Sequence, residues 1–193
     1  LKLPLKMVSL PSMSSTKEFI SSGFSPIEGK TTWASPSNIA LVKYWGKYGK
    51  QFPQNPSLSF TLSKCVSTTT VAFKPKEKNQ DKVSFSFLFE GKKEIAFHPK
   101  IESFLKRIAL YCPYLFEHHL EISSSNSFPH SSGIASSASS MSALALAIVS
   151  MERIVNPTMS LDYFNQKASF LARLGSGSAA RSIVGPIMTW GET

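Results

Sequence analysis

Three short segments carry residues whose types and spacing suit the binding of phosphate groups. The first is the stretch from Ser123 to Ser142, where eleven of twenty residues are serine. At its centre runs Phe128-Pro-His-Ser-Ser-Gly-Ile-Ala-Ser-Ser-Ala-Ser-Ser. Small side chains let a ligand approach the backbone, and Gly133 permits an unusual backbone angle. The helix expected next directs unpaired N–H groups and its positive dipole end at this loop, which is how helices bind anions. Hydroxyls of Ser131, Ser132, Ser136 and Ser137 add donors for phosphate oxygens, or oxygen ligands for Mg²⁺. No Gly-Lys-Ser/Thr follows, so this is not a Walker A loop, and it is not Gly-x-Gly-x-x-Gly. A Ser/Ala-rich helix start packed closely on a neighbour has the same composition.

The second segment, Ser35-Pro-Ser-Asn-Ile-Ala-Leu-Val-Lys-Tyr-Trp-Gly-Lys, puts Asn38, Lys43, Tyr44, Trp45, Gly46 and Lys47 on one short stretch. A strand ending in two lysines, an aromatic pair and a glycine suits gripping a diphosphate. It equally describes a strand with exposed lysines whose Tyr44 and Trp45 pack inward. The third, Gly175-Ser-Gly-Ser-Ala-Ala-Arg-Ser, offers backbone amides and hydroxyls, with Arg181 about one helical turn in. A guanidinium bridges phosphate or carboxylate oxygens in bidentate fashion. Without a ligand, the same letters spell a glycine cap and a new helix start.

These segments need a frame. The chain has 193 residues, 42% hydrophobic and 11% aromatic, enough for one sizeable domain or two small ones and too apolar for disorder. Residues 1–30, rich in Ser, Pro and Lys, read as a weakly ordered arm, and residues 31–193 as the domain. Strands are expected at Thr68–Phe73 and Val83–Phe89. A turn at Glu90-Gly91 then leads into Glu94–Phe97 as a hairpin, and a further strand is expected at Leu120–Ser124. Ile101, Phe104, Leu105 and Ile108 have helical spacing. Further helices are expected over Gly133–Arg153 and from an N-cap at Ser160 to Gly175, with Val184–Trp190 returning to the sheet. Strands first and helices later, interleaved with strands, give an α+β class.

Charge and cysteine count narrow the chemistry. The net charge is +9, and the excess of lysine lies in the first hundred residues, which suits an anionic partner or a solvated basic face. Two cysteines make neither a disulfide framework nor a four-thiolate site, and the four histidines have no metal-ligand spacing. The start of the chain lacks an apolar run, and the stretch Gly133–Met151 begins too polar for a bilayer span. A cytoplasmic protein with no membrane partner is therefore expected.

Taken together and in this order, Asn38 to Lys47, Ser132 to Ala138 and Gly175 to Ser182 resemble the diphosphomevalonate decarboxylase family of the GHMP kinase superfamily. Asn55-Pro-Ser-Leu-Ser-Phe-Thr-Leu and Ser67-Thr-Thr-Thr also match. The resemblance implies a GHMP N-terminal domain, like domain 2 of ribosomal protein S5: a mixed sheet with helices on one face. It implies ATP-dependent decarboxylation of (R)-5-diphosphomevalonate to isopentenyl diphosphate in isoprenoid biosynthesis, with ATP and Mg²⁺, and a homodimer at full length. Carried over, Tyr44, Trp45, Gly46, Lys47, Ser176, Gly177, Ser178, Ala179, Ala180 and Arg181 fall on substrate-binding segments, and Asn38 and Lys43 on polar positions near the phosphates. Lys43 and Arg181 are the candidate catalytic residues. Ser131, Ser132, Gly133, Ala135, Ser136 and Ser137 fall on the ATP phosphate loop, with Ser136 at the transferred phosphate or its Mg²⁺.

Departures sharpen the reading. His130 replaces a threonine, Pro186 a common glycine, and Lys100 stands where many members have a substrate-binding arginine. Lysine keeps the charge and loses the fork, which leaves open a phosphomevalonate decarboxylase acting on a monophosphate. A mevalonate or phosphomevalonate kinase would share the loop but lack the other two motifs. A basic nucleic-acid-binding domain would need Arg/Lys runs interleaved with aromatics, which are absent, so no nucleic-acid partner is expected. Family members are considerably longer, with an essential aspartate in their second half. Asp81 and Asp162 match no such motif. The chain is therefore expected to represent the N-terminal domain, to keep its ligand contacts and not to turn over.

Overall fold

A 19-residue strand organises the molecule, a computed structural model describing residues 13–49, 51–77, 82–129 and 133–191. This strand, β4 (Ser57–Pro75), pairs antiparallel along one edge with β1 (Gly29–Val42), from Gly29 opposite Phe73 to Val42 opposite Leu58. The register slips at Pro36/Ser37 and at Ala40/Val42, irregularities of the kind that re-aim side chains beside functional sites. Two strands share the other edge of β4. Its second half pairs antiparallel with β6 (His118–Asn126), and its first four residues with β7 (Ile187–Trp190). β5 (Ser84–Phe89) adds to β6 in parallel, completing a mixed five-stranded sheet. A two-residue ribbon, β2 (Lys47–Tyr48) with β3 (Phe52–Pro53), stands apart as a small hairpin.

Helices cover one face. α2 (Ser136–Val155) lies across β1 and β4, α3 (Leu161–Gly175) packs on α2, and α1 (His98–Ile108) meets α3. α2 is buried almost all round, with Ala138, Leu144, Ala145 and Ile148 among Ser139 and Ser142. It has the length and apolarity of a membrane span, but 67% of that stretch is buried inside the molecule. These two buried serines are tolerated because each is bonded: Ser139 shares a hydrogen bond with Ser67 at 2.7 Å, and Ser142 donates to the Ala179 carbonyl at 2.6 Å.

Two expectations are corrected. Glu94–Phe97 does not return as a strand. Glu90 and Gly91 do make a tight turn, both at positive φ, and Phe89 bridges to Lys92. But β5 runs parallel to β6, a pairing that needs a crossover, so Ile95–Phe97 coils into a 3₁₀ turn that leads into α1. The arm is not loose over its described part. Phe19 is fully buried and stacks on Phe170 at 5.1 Å, and Phe24 stacks on Tyr114 at 4.4 Å. The Ile27 amide donates to His118 Nε2 at 3.2 Å, and β1 begins at Gly29. Residues 1–12 lie outside the described part.

Candidate functional site

β1 and the turn after α3 bring two of the predicted segments together. Asn38, 2% exposed, donates from Nδ2 to Ser182 Oγ at 2.7 Å and to the Ser178 carbonyl at 3.2 Å. Ser35 donates to the Ser182 carbonyl at 2.9 Å. The 3₁₀ turn Gly177–Ser182 is thus laced to β1, and Ser142 of α2 holds it from behind. The turn delivers Arg181, 4% exposed, whose NH1 donates to Ser57 Oγ at 2.6 Å. Its guanidinium lies 5.9 Å from the centre of the Tyr44 ring and 5.6 Å from that of Trp190. Burial lowers its pKa, opposed by Tyr44.

Tyr44 and Trp190 meet edge to face at 4.8 Å, and Lys47 Nζ sits 5.6 Å from the Tyr44 ring centre. A Cβ on Gly177 would stand 2.9 Å from Trp190 and 3.1 Å from the Lys47 side chain, so glycine is what lets these groups converge. Asn55 sets the approach of this segment: its Oδ1 accepts the Trp45 amide at 2.6 Å and its Nδ2 donates to the Lys43 carbonyl at 3.2 Å. Gly46 adopts φ +83°, and any Cβ there would collide with the Gln54 carboxamide. Three buried polar atoms in this cluster have no hydrogen-bond partner: Arg181 Nε, Asn38 Oδ1 and Trp190 Nε1. Orphaned buried groups are costly, and several at one spot suit a ligand that would satisfy them.

The second cradle lies at the start of α2. Gly133 (φ +77°) and Ala135 (φ +43°) turn the chain through the left-handed region, and no side chain caps the helix. The Ala138 amide turns back to the Ala135 carbonyl at 2.9 Å, which leaves the amides of Ser136 and Ser137 for an anion, beside their half-buried hydroxyls. They open on a cavity of about 90 Å³ walled by Phe87, Phe97, Ile122, Met141, Thr69 and Lys100. Lys100 is an exposed residue on one wall, and desolvation there lowers its pKa. Ser37 of β1 donates to the Ile134 carbonyl, so the stretch Ser35–Asn38 touches both cradles.

The predicted residues divide accordingly. Asn38, Tyr44, Gly46, Lys47, Ser176, Gly177, Ser178 and Arg181 gather in the first cradle, and Gly133, Ala135, Ser136 and Ser137 in the second. Ser131 and Ser132 lie outside the described residues, as do His130 and Asp81. The remaining five residues sit apart from Arg181 or turn away from it. Ala179 and Ala180 point into the core, with their carbonyls taken by Ser142 and Ser169. Trp45 is 76% exposed rather than packed, and Lys43 is exposed at the strand end. Lys100 joins the α2 cradle, not Arg181. Sequence reasoning missed Ser57, Ser182 and Trp190. Ser57 lies within Asn55-Pro-Ser, which the resemblance covers, and Trp190 shares the inward side of a short strand with Met188. Among the described residues no three His, Cys, Asp or Glu side chains gather to hold a metal.

The chain has relatives of known kind. A family model, the diphosphomevalonate decarboxylase-like N-terminal domain, matches residues 35–193. The diphosphomevalonate decarboxylase of Bos taurus is 30% identical over 174 residues, and that of Candida albicans 34% identical over 170. These matches take in 82% and 81% of this chain, but only 40% and 43% of the relatives' length. Among solved structures, mevalonate diphosphate decarboxylase from Staphylococcus aureus superposes with a TM-score of 0.68 at 33% identity, over 86% of this chain and 46% of that one. A structure described as MDDEF in complex with MVAPP, AMPPCP and magnesium gives 0.67 at 32%, over 86% of this chain and 47% of that one.

Proposed function

The chain belongs to the diphosphomevalonate decarboxylase-like family through its N-terminal domain, and from that premise we propose that it binds ATP and (R)-5-diphosphomevalonate for the decarboxylation that yields isopentenyl diphosphate. The observation that carries this reading is the first cradle, where Arg181 and Lys47 flank Tyr44 and Trp190 with three buried polar atoms unpaired. Arg181 and Lys47 would bind the substrate's anionic groups, the guanidinium in bidentate fashion. The Tyr44 and Trp190 rings exclude water and so strengthen those charges. Asn38 Oδ1 is an acceptor, so it fits a substrate hydroxyl and not a phosphate oxygen.

ATP fits the second cradle. The uncapped amides of α2, the hydroxyls of Ser136 and Ser137 and the ammonium of Lys100 are donors for its phosphates, and the aromatic cavity beside them suits its base. Mg²⁺ fits as an ion held chiefly by phosphate oxygens and water, with Ser136 as the protein ligand. Bound there, ATP supplies the phosphoryl group that turns the substrate's tertiary hydroxyl into a leaving group. The chain's part is to hold two anions close together across Ser35–Asn38 while their charges are neutralised.

Calorimetric titration with 5-diphosphomevalonate tests the reading. Arg181→Ala is expected to weaken binding at least about tenfold, while Ser136→Ala leaves it unchanged and weakens a magnesium-bound ATP analogue. Equal affinity of Arg181→Ala and the unmodified chain would overturn it.

A further inference from the structure

Arg173 is the most unusual side chain outside the two cradles. It is 0% exposed, and its Nε, NH1 and NH2 all lack hydrogen-bond partners. A buried guanidinium with no anion is costly, and an apolar side chain of the same volume would commonly be neutral or stabilising there. Something other than stability accounts for a charge at this position.

Its neighbours are rings. The guanidinium carbon lies 3.9 Å from the centre of Phe52 and 5.4 Å from that of Phe170. Tyr48 stacks on Phe52 at 5.6 Å, and Phe170 stacks on Phe19 at 5.1 Å. A column Tyr48–Phe52–Arg173–Phe170–Phe19 therefore runs from the β2–β3 hairpin into the core. Phe52 and Tyr48 are the pair that faces across the hairpin, and Lys47 adjoins Tyr48. Lys47 donates to Gln51 at 2.8 Å within the same hairpin. Arg173 itself sits at the end of α3, four residues before Gly177, the residue against which Lys47 packs.

We infer that Arg173 is a positioning residue: stacked on Phe52, it seats the β2–β3 hairpin on the end of α3 and so sets Lys47 in register with Gly177 and Arg181. This rests on the reading of Lys47 as a substrate contact. A planar guanidinium has the chemistry for the task, because it lies flat on a ring with defined geometry, where an aliphatic chain would slide. Its charge, held in a low dielectric, also adds to the positive field met by an incoming diphosphate.

The test joins hydrogen exchange, thermal unfolding and binding in Arg173→Met and Phe52→Leu. Arg173→Met should keep or raise the melting temperature, since the unpaired charge is gone. Amides of residues 46–54 should exchange at least about tenfold faster, with α2 unaffected. Affinity for 5-diphosphomevalonate should fall about tenfold, as for a misplaced binding group. Lys47→Ala, costly in the unmodified chain, should then cost nothing further, because Lys47 is already out of register. Unchanged hairpin exchange, or an undiminished cost of Lys47→Ala, would overturn the inference. Phe52→Leu removes the same stack from the hairpin side and gives the answer if Arg173→Met does not fold. Should the unmodified chain bind no diphosphomevalonate, the functional reading fails, while hairpin exchange still decides whether Arg173 seats the hairpin.

Discussion

Single atoms decide how the first cradle closes. A methyl at Gly177 would meet the fully buried Trp190 at 2.9 Å and the Lys47 side chain at 3.1 Å, and only the lysine is free to yield. Gly177→Ala should therefore displace the charge and cost about 1–3 kcal/mol of overpacking. Calorimetry should find diphosphomevalonate binding weakened about tenfold, with a lowered melting temperature. Cys112 governs a different property. Burial, the dominant cause, pushes its thiol from an ordinary 9.0 up to about 11, against the nearby Lys167. The folded state thus keeps a proton that the unfolded chain loses, so stability is flat below pH 9 and falls as pH rises towards 11. The loss is of order 2–3 kcal/mol when complete. Arg173 acts in the opposite sense at higher pH, because burial lowers it to about 10 and the unfolded guanidinium holds its proton longer. Urea midpoints between pH 8 and 10 isolate the thiol: Cys112→Ala should remove most of the decline, and an unchanged slope would refute its assignment to Cys112.

At the scale of elements, a buried ion pair fastens the N-terminal segment to the helices. Lys167 of α3, 0% exposed, donates to Glu152 of α2 at 2.5 Å and to Ser21 at 2.7 Å, and the Ser21 amide donates to the Tyr111 carbonyl at 3.0 Å. Breaking one partner leaves a buried charge, so Lys167→Met should cost about 3–5 kcal/mol, whereas Lys167→Met with Glu152→Leu should recover most of it. Equilibrium denaturation of the two single variants and the double variant measures this, and a double variant as unstable as the sum would contradict it. The latch also explains why the segment before β1 reads as a loose arm: Phe19 packs on Phe170 while Phe24 and Ile27 both meet His118, so their spacing follows neither helix nor strand. β4 hid half its length for a related reason. Thr68–Phe73 shows alternation because Val71 and Phe73 face the core, while Ser57, Ser59 and Ser67 occupy the equivalent inward positions nearer the cradle. Inward serines are polar, with Ser57 and Ser67 bonded to Val42 and Asn126, and periodicity of hydrophobicity cannot see them. α2 and α3 were legible because apolar residues recur on the faces they bury.

Across the whole molecule, the two cradles were legible as segments but not as neighbours. Their meeting depends on β4 pairing with β1 along one edge and β7 along the other, which places Trp190 and Ser57 beside Arg181, and no local pattern announces that. The same arrangement shows what the site lacks. Among the described residues, none of those forming either cradle is acidic. Asp162 opens α3 while Ser176 follows its end, which sets them about 20 Å apart at 1.5 Å per residue. Glu152 is removed from Ser136 by most of the length of α2 and is engaged by Lys167. Proton removal from a tertiary hydroxyl needs a base within hydrogen-bond reach, and cationic donors alone stabilise anions without taking a proton. The chain also spans only 40% and 43% of the relatives it matches. Residues 1–193 are accordingly expected to bind diphosphomevalonate and ATP yet release no phosphate above the uncatalysed background. A continuous phosphate-release assay at saturating ligand checks this. Release that disappears in Arg181→Ala would show that a base is present within these residues, and it would direct attention to Asp81, which lies outside the described part. Binding without release would instead separate the two tasks, with anion capture resident here and proton transfer dependent on groups that these elements do not position.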